Sequence, residues 1–250
     1  MEVLLESDGV RLRGHLARPV ASAGSGRFGL VLCHGFPSGP RGAAVSAETY
    51  PQLAERLAAE SGWTVLSFNF RGTGDSEGDF SLGGWMADMR SAVDHLLAAE
   101  GVAGVWLAGF STGGALALCT AAEDDRVAGV AALAAPADFS TWADDPRRFL
   151  DHAREVGVVR SRDFPPDFDG WARELREIRA SAVVGKIPPR PLLLVHGVDD
   201  DIVPAVDARQ LADAADGTVE LRVLTGARHR LRHDPRAIAV LIGWLDRQHL

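Results

Sequence analysis

Short apolar runs alternate with longer segments of helical spacing along most of this chain. The short runs have the length and the bounding turn residues of strands, and the longer segments repeat apolar residues three and four positions apart. Strands are predicted at residues 3–6, 10–17, 28–33, 64–70, 105–108, 127–134, 191–195 and 220–224, helices at 47–61, 84–100, 112–123, 206–215 and 235–248, and a surface loop at 21–27. This alternation indicates an α/β fold, with a mostly parallel central sheet of about eight strands and flanking helices. The first two strands are expected to pair as an antiparallel hairpin around Asp8 and Gly9.

The stretch 136–190 has a different character, because strand patterning stops there and charged residues surround scattered aromatic ones. We interpret it as a small helical cap inserted into a single domain that spans residues 1–250. Pockets of open α/β sheets form at the carboxyl ends of the strands, so the cap is expected to face the substrate there. The alternative is a surface segment without contact to the substrate, whose aromatic residues only pack it against the rest of the domain. The aromatic residues concerned are Trp142, Phe149, Phe164, Phe168 and Trp171.

Composition and charge narrow the class of protein. The chain has 250 residues, 26 Lys and Arg against 34 Asp and Glu, and a formal net charge of −8. This acidic balance argues against a nucleic-acid partner, which would require a basic surface. The N-terminus lacks the pattern of a signal peptide, and no run approaches the ~18 apolar residues of a membrane helix. We therefore expect a cytoplasmic protein without a membrane partner, with Cys33 and Cys119 as reduced core thiols.

The segment Gly109-Phe110-Ser111-Thr112-Gly113 stands between a predicted strand and a predicted helix. A G-x-S-x-G sequence in that setting is typical of a nucleophile elbow, in which the serine hydroxyl points away from the sheet on a strained turn. A serine that only caps the following helix would leave the flanking glycines unexplained. The elbow predicts a serine hydrolase with Ser111 as nucleophile and the backbone N–H of Thr112 as one donor to the oxyanion.

A serine nucleophile needs a base, and the base needs an acid that fixes its tautomer. The two strands after the cap run into the segments that hold the candidate acids and bases, so the chain order is Ser, Asp, His. Neighbouring residues compete for both roles. The acids are Asp199, Asp200 and Asp201, and the bases are His229 and His233. The two histidines have no H-E-x-x-H or cysteine cluster beside them, so no metal site and no cofactor are expected.

Five motifs in this order resemble the α/β-hydrolase family over about residues 10–248, and within it the small serine esterase, dienelactone-hydrolase and S9-peptidase-like branches. They are His34-Gly35-Phe36, the segment 69–76, the elbow, His196-Gly197 followed by Asp200 and Val203-Pro204, and Gly226-Ala227-Arg228-His229. The resemblance implies an α/β-hydrolase fold. It also implies that Asp200 is the acid, that His229 is the base and that the N–H of Phe36 is the second oxyanion donor.

These assignments predict cleavage of a small-molecule carboxylic ester through an acyl-enzyme intermediate. The same residues would serve a thioesterase, a peptidase or amidase, or an acyltransferase, and fold alone does not choose between them. A non-catalytic ligand-binding member of the fold is a further alternative. Oligomeric state is left open. A pocket for an aryl or otherwise bulky group is expected, walled by Phe36, Trp142, Phe149, Phe164, Phe168 and Trp171.

Overall fold

The computed structural model describes residues 1–20, 27–39 and 42–249, and the predicted loop at 21–27 lies, apart from Arg27, outside them. Within the described residues one sheet of eight strands has the order β1-β2-β4-β3-β5-β6-β7-β8. Strand β2 runs antiparallel to both of its neighbours, β1 and β4. The six strands β3 to β8 are parallel to one another. The strands are β1 (Glu2–Ser7), β2 (Val10–Ala17), β3 (Phe28–Cys33), β4 (Thr64–Phe68), β5 (Gly104–Phe110), β6 (Val127–Leu133), β7 (Leu192–Gly197) and β8 (Glu220–Leu224).

The hairpin between β1 and β2 turns at Asp8 and Gly9, as predicted. Ser7 pairs with Val10, so the loop has two residues, and their φ angles of 50° and 77° are both positive. Two-residue turns of this kind match the right-handed twist of the flanking strands and favour Asp-Gly.

Ten α-helices lie within the described ranges, and 3₁₀ turns follow at Val184–Lys186, Leu231–His233 and Arg247–His249. The helices are α1 (Gly42–Val45), α2 (Tyr50–Ser61), α3 (Leu82–Ala99), α4 (Thr112–Glu123), α5 (Ser140–Ala143), α6 (Pro146–Glu155), α7 (Phe168–Glu177), α8 (Ala180–Val183), α9 (Val206–Ala214) and α10 (Pro235–Asp246). Helix α2 starts three residues later than predicted, because Pro51 suits only the first turn of a helix. Helix α3 starts two residues earlier, because the hydroxyl of Ser81 caps it by accepting from the N–H of Gly84.

Helices α5 to α8 occupy the stretch predicted to be a helical cap. The indole N–H of Trp171 on α7 donates to the carbonyl of Phe80 over 3.1 Å, and Glu174 accepts from the N–H of Gly83 over 3.1 Å. The guanidinium of Arg160 donates to three carbonyls of the loop after β4, those of Gly72, Gly74 and Ser76. These bonds tie the stretch to the loop after β4 and to the start of α3.

The sheet is covered on both faces by apolar clusters, so the parallel strands β3 to β7 are buried, as their near-continuous apolar sequences require, while the edge strand β8 is partly exposed. In one cluster the rings of Phe70 and Trp85 stack with centroids 4.3 Å apart. No helix in the described ranges combines the length and apolar character that crossing a bilayer would require. The carboxyl ends of β3, β5, β6, β7 and β8 meet at one edge of the sheet, and the candidate catalytic residues follow those ends.

Candidate active site

Ser111 lies between β5 and α4 with φ 53° and ψ −126°, a conformation that is strained for a residue with a side chain. Its N–H donates to the carbonyl of Leu133 over 2.8 Å, which anchors the turn to β6. Close backbone contacts leave no room for a side chain at the two flanking glycines, Gly109 and Gly113. A Cβ on Gly109 would lie 2.3 Å from the carbonyl oxygen of Gly113, and a Cβ on Gly113 would lie 2.2 Å from that of His34. The turn that exposes Ser111 can therefore form only with glycine at both positions.

Three side chains that are far apart in sequence meet at this edge. His229 Nε2 lies 3.0 Å from Ser111 Oγ, and His229 Nδ1 lies 2.9 Å from Asp200 Oδ2 and 3.0 Å from Asp200 Oδ1. If Nδ1 carries the ring hydrogen and donates to the carboxylate, Nε2 is free to accept the hydroxyl proton of the serine. The arrangement thus has the geometry of a nucleophile, a base and an orienting acid.

The carboxylate of Asp200 is surrounded by donors. Its Oδ1 accepts from the N–H groups of Ile202 and Val203, each over 2.9 Å. Its Oδ2 lies 3.3 Å from Nε2 of His196, a buried ring that also lies 3.0 Å from the carbonyl of Val203. Burial alone would raise the pKa of Asp200, but the hydrogen bonds from His196, His229 and the two amides outweigh it and hold that pKa well below its usual value. The acid is therefore ionised whenever the protein is folded near neutral pH.

From the sequence, His196 was named only as part of a family motif, and no role was assigned to its side chain. A histidine at the end of a buried strand gives no sign of which neighbour it will contact. The contact arises because residues 200–203 fold back, so that the carboxylate of Asp200 faces the end of β7.

The neighbouring candidates lie elsewhere. Asp199 and Asp201 are exposed, and His233 is exposed on the 3₁₀ turn after His229. No hydrogen bond joins any of them to Ser111 or His229 among the described residues. The chain turns at residues 198–203, and the N–H groups of residues 202 and 203 hold the carboxylate of Asp200 on the side of His229.

The N–H groups of Phe36 and Thr112 are available to a ligand. Thr112 is the first residue of α4, where backbone N–H groups have no partner within the helix. The backbone of Gly35 passes so close that an added Cβ would lie 3.0 Å from Ser111 Cβ, which brings the Phe36 amide next to the serine. Neither amide donates a hydrogen bond within the described part of the chain. Stabilising a developing oxyanion requires N–H donors of this kind without a partner in the protein.

A cavity of about 900 Å³, called here the larger cavity, opens beside Ser111. Its apolar walls come from the loop after β3, the start of the stretch 136–190 and the loop after β7. They include Phe36, Pro136, Phe139, Trp142, Ile202 and Val203. This volume lies near the upper end of the range for pockets that hold drug-sized ligands.

Of the six aromatic residues predicted to wall a pocket, only Phe36 and Trp142 line the larger cavity. Phe149 and Trp171 are buried behind Trp142, with ring centroids at 4.1 Å between Trp142 and Phe149 and at 5.7 Å between Phe149 and Trp171. Phe149 and Trp171 therefore support Trp142 from behind and do not contact the cavity. Stacking buries more of their apolar surface than facing the cavity would.

The other two aromatic residues lie farther out. Phe164 is half-buried at a separate cavity of about 410 Å³, and Phe168 is half-buried under the guanidinium of Arg147, 4.6 Å from its ring centroid. Neither lines the larger cavity. Their positions in sequence could not reveal this, since the path of residues 156–168 has no periodic pattern.

His34 holds the loop that carries Phe36. Its Nδ1 lies 2.8 Å from the carbonyl of Gly35, and its Nε2 accepts from the N–H of Phe70 over 3.3 Å. Burial lowers the pKa of His34 to about 4, opposed by the bond to Gly35 and assisted by the charge of Arg232. The ring is therefore neutral, with its hydrogen on Nδ1.

The described residues contain no group of three or more His, Cys, Asp and Glu side chains placed to hold a metal ion. The chemistry available at this edge of the sheet is that of the serine, the imidazole, the carboxylate and the two backbone amides.

Comparison with known proteins places this site in context. A family profile described as "alpha/beta hydrolase fold" matches residues 30–184. The chain is 36% identical over 89 residues to "Esterase YjfP" of Escherichia coli (strain K12), covering 34% of this chain and 34% of that protein. It is 30% identical over 138 residues to "Quorum-quenching protein AidA" of Acinetobacter baumannii (strain MDR-ZJ06), covering 52% of this chain and 42% of that protein. The chain thus spans less than half the length of either curated relative.

Solved structures extend the likeness to nearly the whole chain. The esterase Pf2001 of Pyrococcus furiosus has a TM-score of 0.71 at 20% identity, covering 99% of this chain and 91% of that one. Est1E of Butyrivibrio proteoclasticus, solved with ferulic acid bound, has a TM-score of 0.72 at 21% identity, covering 99% and 97%. At such identities the likeness concerns the fold alone. Because the family profile matches more than half of its residues, this chain belongs to the alpha/beta hydrolase family.

Proposed function

We propose that this alpha/beta hydrolase is a serine hydrolase that cleaves carboxylic esters, with Ser111 as nucleophile, His229 as base and Asp200 as the acid that orients the base. The observation that carries the proposal is the position of His229, whose two ring nitrogens lie 3.0 Å from Ser111 Oγ and 2.9 Å from Asp200 Oδ2. A serine hydroxyl becomes a competent nucleophile only when such a base removes its proton.

The reaction has two steps. In the first, Ser111 Oγ bonds to the ester carbonyl carbon while His229 Nε2 takes the hydroxyl proton. The N–H groups of Phe36 and Thr112 stabilise the oxyanion. Collapse breaks the bond to the alcohol oxygen, which leaves with the proton from His229. In the second step water, deprotonated by the same imidazole, attacks the acyl-enzyme and releases the acid and free Ser111.

The ionised Asp200 supports both steps electrostatically. The imidazole becomes positively charged in each transition state, and a carboxylate 2.9 Å from Nδ1 stabilises that charge. The donors around Asp200 keep it ionised, so it does not compete for the proton that His229 carries.

The larger cavity favours an ester with a bulky or aromatic group. Its volume of about 900 Å³ exceeds what an acetyl group fills, and Phe36 and Trp142 offer ring surfaces to a planar group. A series of 4-nitrophenyl esters from acetate to octanoate, with a benzoate and a cinnamate, tests this part. Highest kcat/KM for acetate over every bulkier acyl group would contradict it.

Ser111→Ala tests the nucleophile. The matched control is Ser161→Ala, because Ser161 is an exposed serine that lines neither cavity beside Ser111. Hydrolysis of 4-nitrophenyl butyrate should fall by roughly 10⁴-fold or more in Ser111→Ala and stay unchanged in the control. A fluorophosphonate probe should label the wild type and the control and leave Ser111→Ala unlabelled. Wild-type turnover in Ser111→Ala would refute the mechanism.

The same assay separates the alternatives that share these residues. Matched butyryl substrates with oxygen, sulfur and anilide leaving groups compare esterase, thioesterase and amidase activity. Adding an alcohol acceptor and measuring the ratio of new ester to free acid detects acyl transfer. A wild-type protein that is folded but takes no fluorophosphonate would be a non-catalytic member of the fold.

A further inference from the structure

A second cavity also borders Ser111. Its volume is about 250 Å³, and we call it the smaller cavity. It shares Phe36, Pro37, Ser38, Ser111, His229 and Arg230 with the larger cavity. Because the serine and the histidine stand at the junction, an ester whose carbonyl lies at Ser111 can extend one group into each cavity. The smaller cavity lies below the usual size of pockets for drug-sized ligands, so it takes only a short group.

The smaller cavity is positively charged. Arg230 and Arg232 line it, and no carboxylate does so among the described residues. Arg230 is exposed and its guanidinium has no hydrogen-bond or ion-pair partner in the described part of the chain. Arg232 is half-buried, donates to the hydroxyl of Thr49 and lies 5.1 Å from the ring centroid of Tyr50. A guanidinium has five N–H donors, so Arg232 keeps several for a ligand.

The positive charge acts on the groups around it. Besides burial, the charge of Arg232 lowers the pKa of His34, and the charges of Arg232 and Arg230 add to burial in lowering the pKa of His233.

Resting on the proposed esterase function, we propose that the smaller cavity binds a carboxylate carried by the substrate, held by Arg230 and Arg232. The substrate is then an ester with a second, ionised carboxyl group a few bonds from the scissile carbonyl. Planar guanidinium groups match the two oxygens of a carboxylate, which makes arginine suited to this recognition.

The larger cavity is the less favourable place for such a group. Its lining includes Asp138, Asp201 and Asp207 as well as Arg228 and Arg230. Carboxylates there oppose a negatively charged ligand, whereas the described residues that line the smaller cavity include none. The larger cavity therefore binds the bulky, uncharged group of the substrate, and the smaller cavity binds the short group that carries the carboxylate.

The experiment compares pairs of esters that differ in one carboxylate. Mono-(4-nitrophenyl) adipate against 4-nitrophenyl hexanoate places the charge on the acyl side, and 4-carboxyphenyl butyrate against phenyl butyrate places it on the alcohol side. For each pair the ratio of kcat/KM, charged over neutral, is measured in the wild type, Arg230→Gln and Arg232→Gln. Comparing ratios removes the intrinsic reactivity of each ester.

We expect each substitution to lower the ratio by roughly tenfold to a hundredfold for one of the two pairs, the loss of one charge-assisted hydrogen bond. Arg209→Gln, the same change at an exposed arginine that lines neither cavity, should leave the ratio within about twofold. Arg232 contacts Thr49 and Tyr50, so its variant is checked by thermal melting. Arg230 makes no such contact, and its variant tests the proposal independently of folding.

Ratios unchanged in both variants, or lowered equally by Arg209→Gln, would overturn the inference. Loss in Arg228→Gln alone would place the anion in the larger cavity and would overturn it too, as would equal losses on charged and neutral esters. In all these outcomes Ser111-dependent hydrolysis of the neutral esters persists, so the proposed function stands. If no ester is hydrolysed and no fluorophosphonate is bound, the proposed function fails, and this inference fails with it.

Discussion

Replacing Asp200 by Asn should reverse the tautomer of His229. The carboxamide has one acceptor and one donor group in place of two acceptors. The N–H groups of Ile202 and Val203 both donate to Oδ1, so the amide oxygen will take that position. Turning it away would make both N–H groups face an NH₂ group, which costs about 1–3 kcal/mol for the part-buried N–H of Val203 alone. The NH₂ group will therefore face His229 Nδ1.

A donor at that position forces Nδ1 to accept and moves the ring hydrogen to Nε2. Nε2 then points a hydrogen at Ser111 Oγ, 3.0 Å away, and cannot take the serine proton. We expect kcat to fall by about 10⁴-fold, equivalent to about 5 kcal/mol of transition-state stabilisation. KM should stay close to the wild-type value, because Asp200 lines neither cavity.

The assay is steady-state hydrolysis of 4-nitrophenyl butyrate by purified Asp200→Asn, with the fold checked by circular dichroism. Asp199→Asn, the same change at the exposed neighbouring aspartate, is the control and should retain wild-type kcat. A loss of less than tenfold in Asp200→Asn, or a comparable loss in Asp199→Asn, would refute the assignment of the acid and the tautomer argument with it.

Three further predictions concern stability. His34 has a pKa of about 4 in the folded protein against 6.5 in the unfolded chain, so the unfolded chain binds the extra proton as the pH falls, and the free energy of unfolding should fall by roughly 3 kcal/mol between pH 7 and pH 4. Urea unfolding of His34→Gln should lack this share of the pH dependence. The same dependence of unfolding free energy on pH in the wild type and in His34→Gln would contradict the prediction. Gly113→Ala places a Cβ 2.2 Å from a carbonyl oxygen and should lower the thermal midpoint strongly, whereas Gly243→Ala in the interior of α10 should leave it unchanged or raise it slightly. Phe149→Ala should cost about 3–5 kcal/mol in unfolding free energy and raise KM for bulky esters, because it removes the support behind Trp142; a loss below about 1 kcal/mol would argue against that support.

The sequence predicted the sheet and the elbow because both depend on local pattern. Strand β3 was placed to the residue because a buried parallel strand needs an unbroken apolar run, and β8, which is not buried, was placed to the residue because it is a short run before a turn. The elbow was recognisable because glycine at 109 and 113 is a steric requirement of the turn itself. Helix starts were less accurate, as at α3, where a single hydroxyl cap sets the first residue.

The pocket could not be predicted in the same way. Five of the six aromatic residues proposed for it lie in the stretch 136–190, yet four of those five do not line the larger cavity. Side-chain direction in a segment without periodicity depends on how its helices pack, and that packing involves residues from α3 and the loop after β4.

By itself the sequence determined the order of strands and helices, the strained serine turn and a short choice of acids and bases. Only the tertiary structure decided which aspartate faces the imidazole, that a second histidine contacts that carboxylate, and that two arginines line the same small cavity. The reason is physical. Backbone conformation follows from neighbouring residues, whereas hydrogen bonds between side chains 29 or 118 positions apart exist only after the sheet has brought its strand ends together.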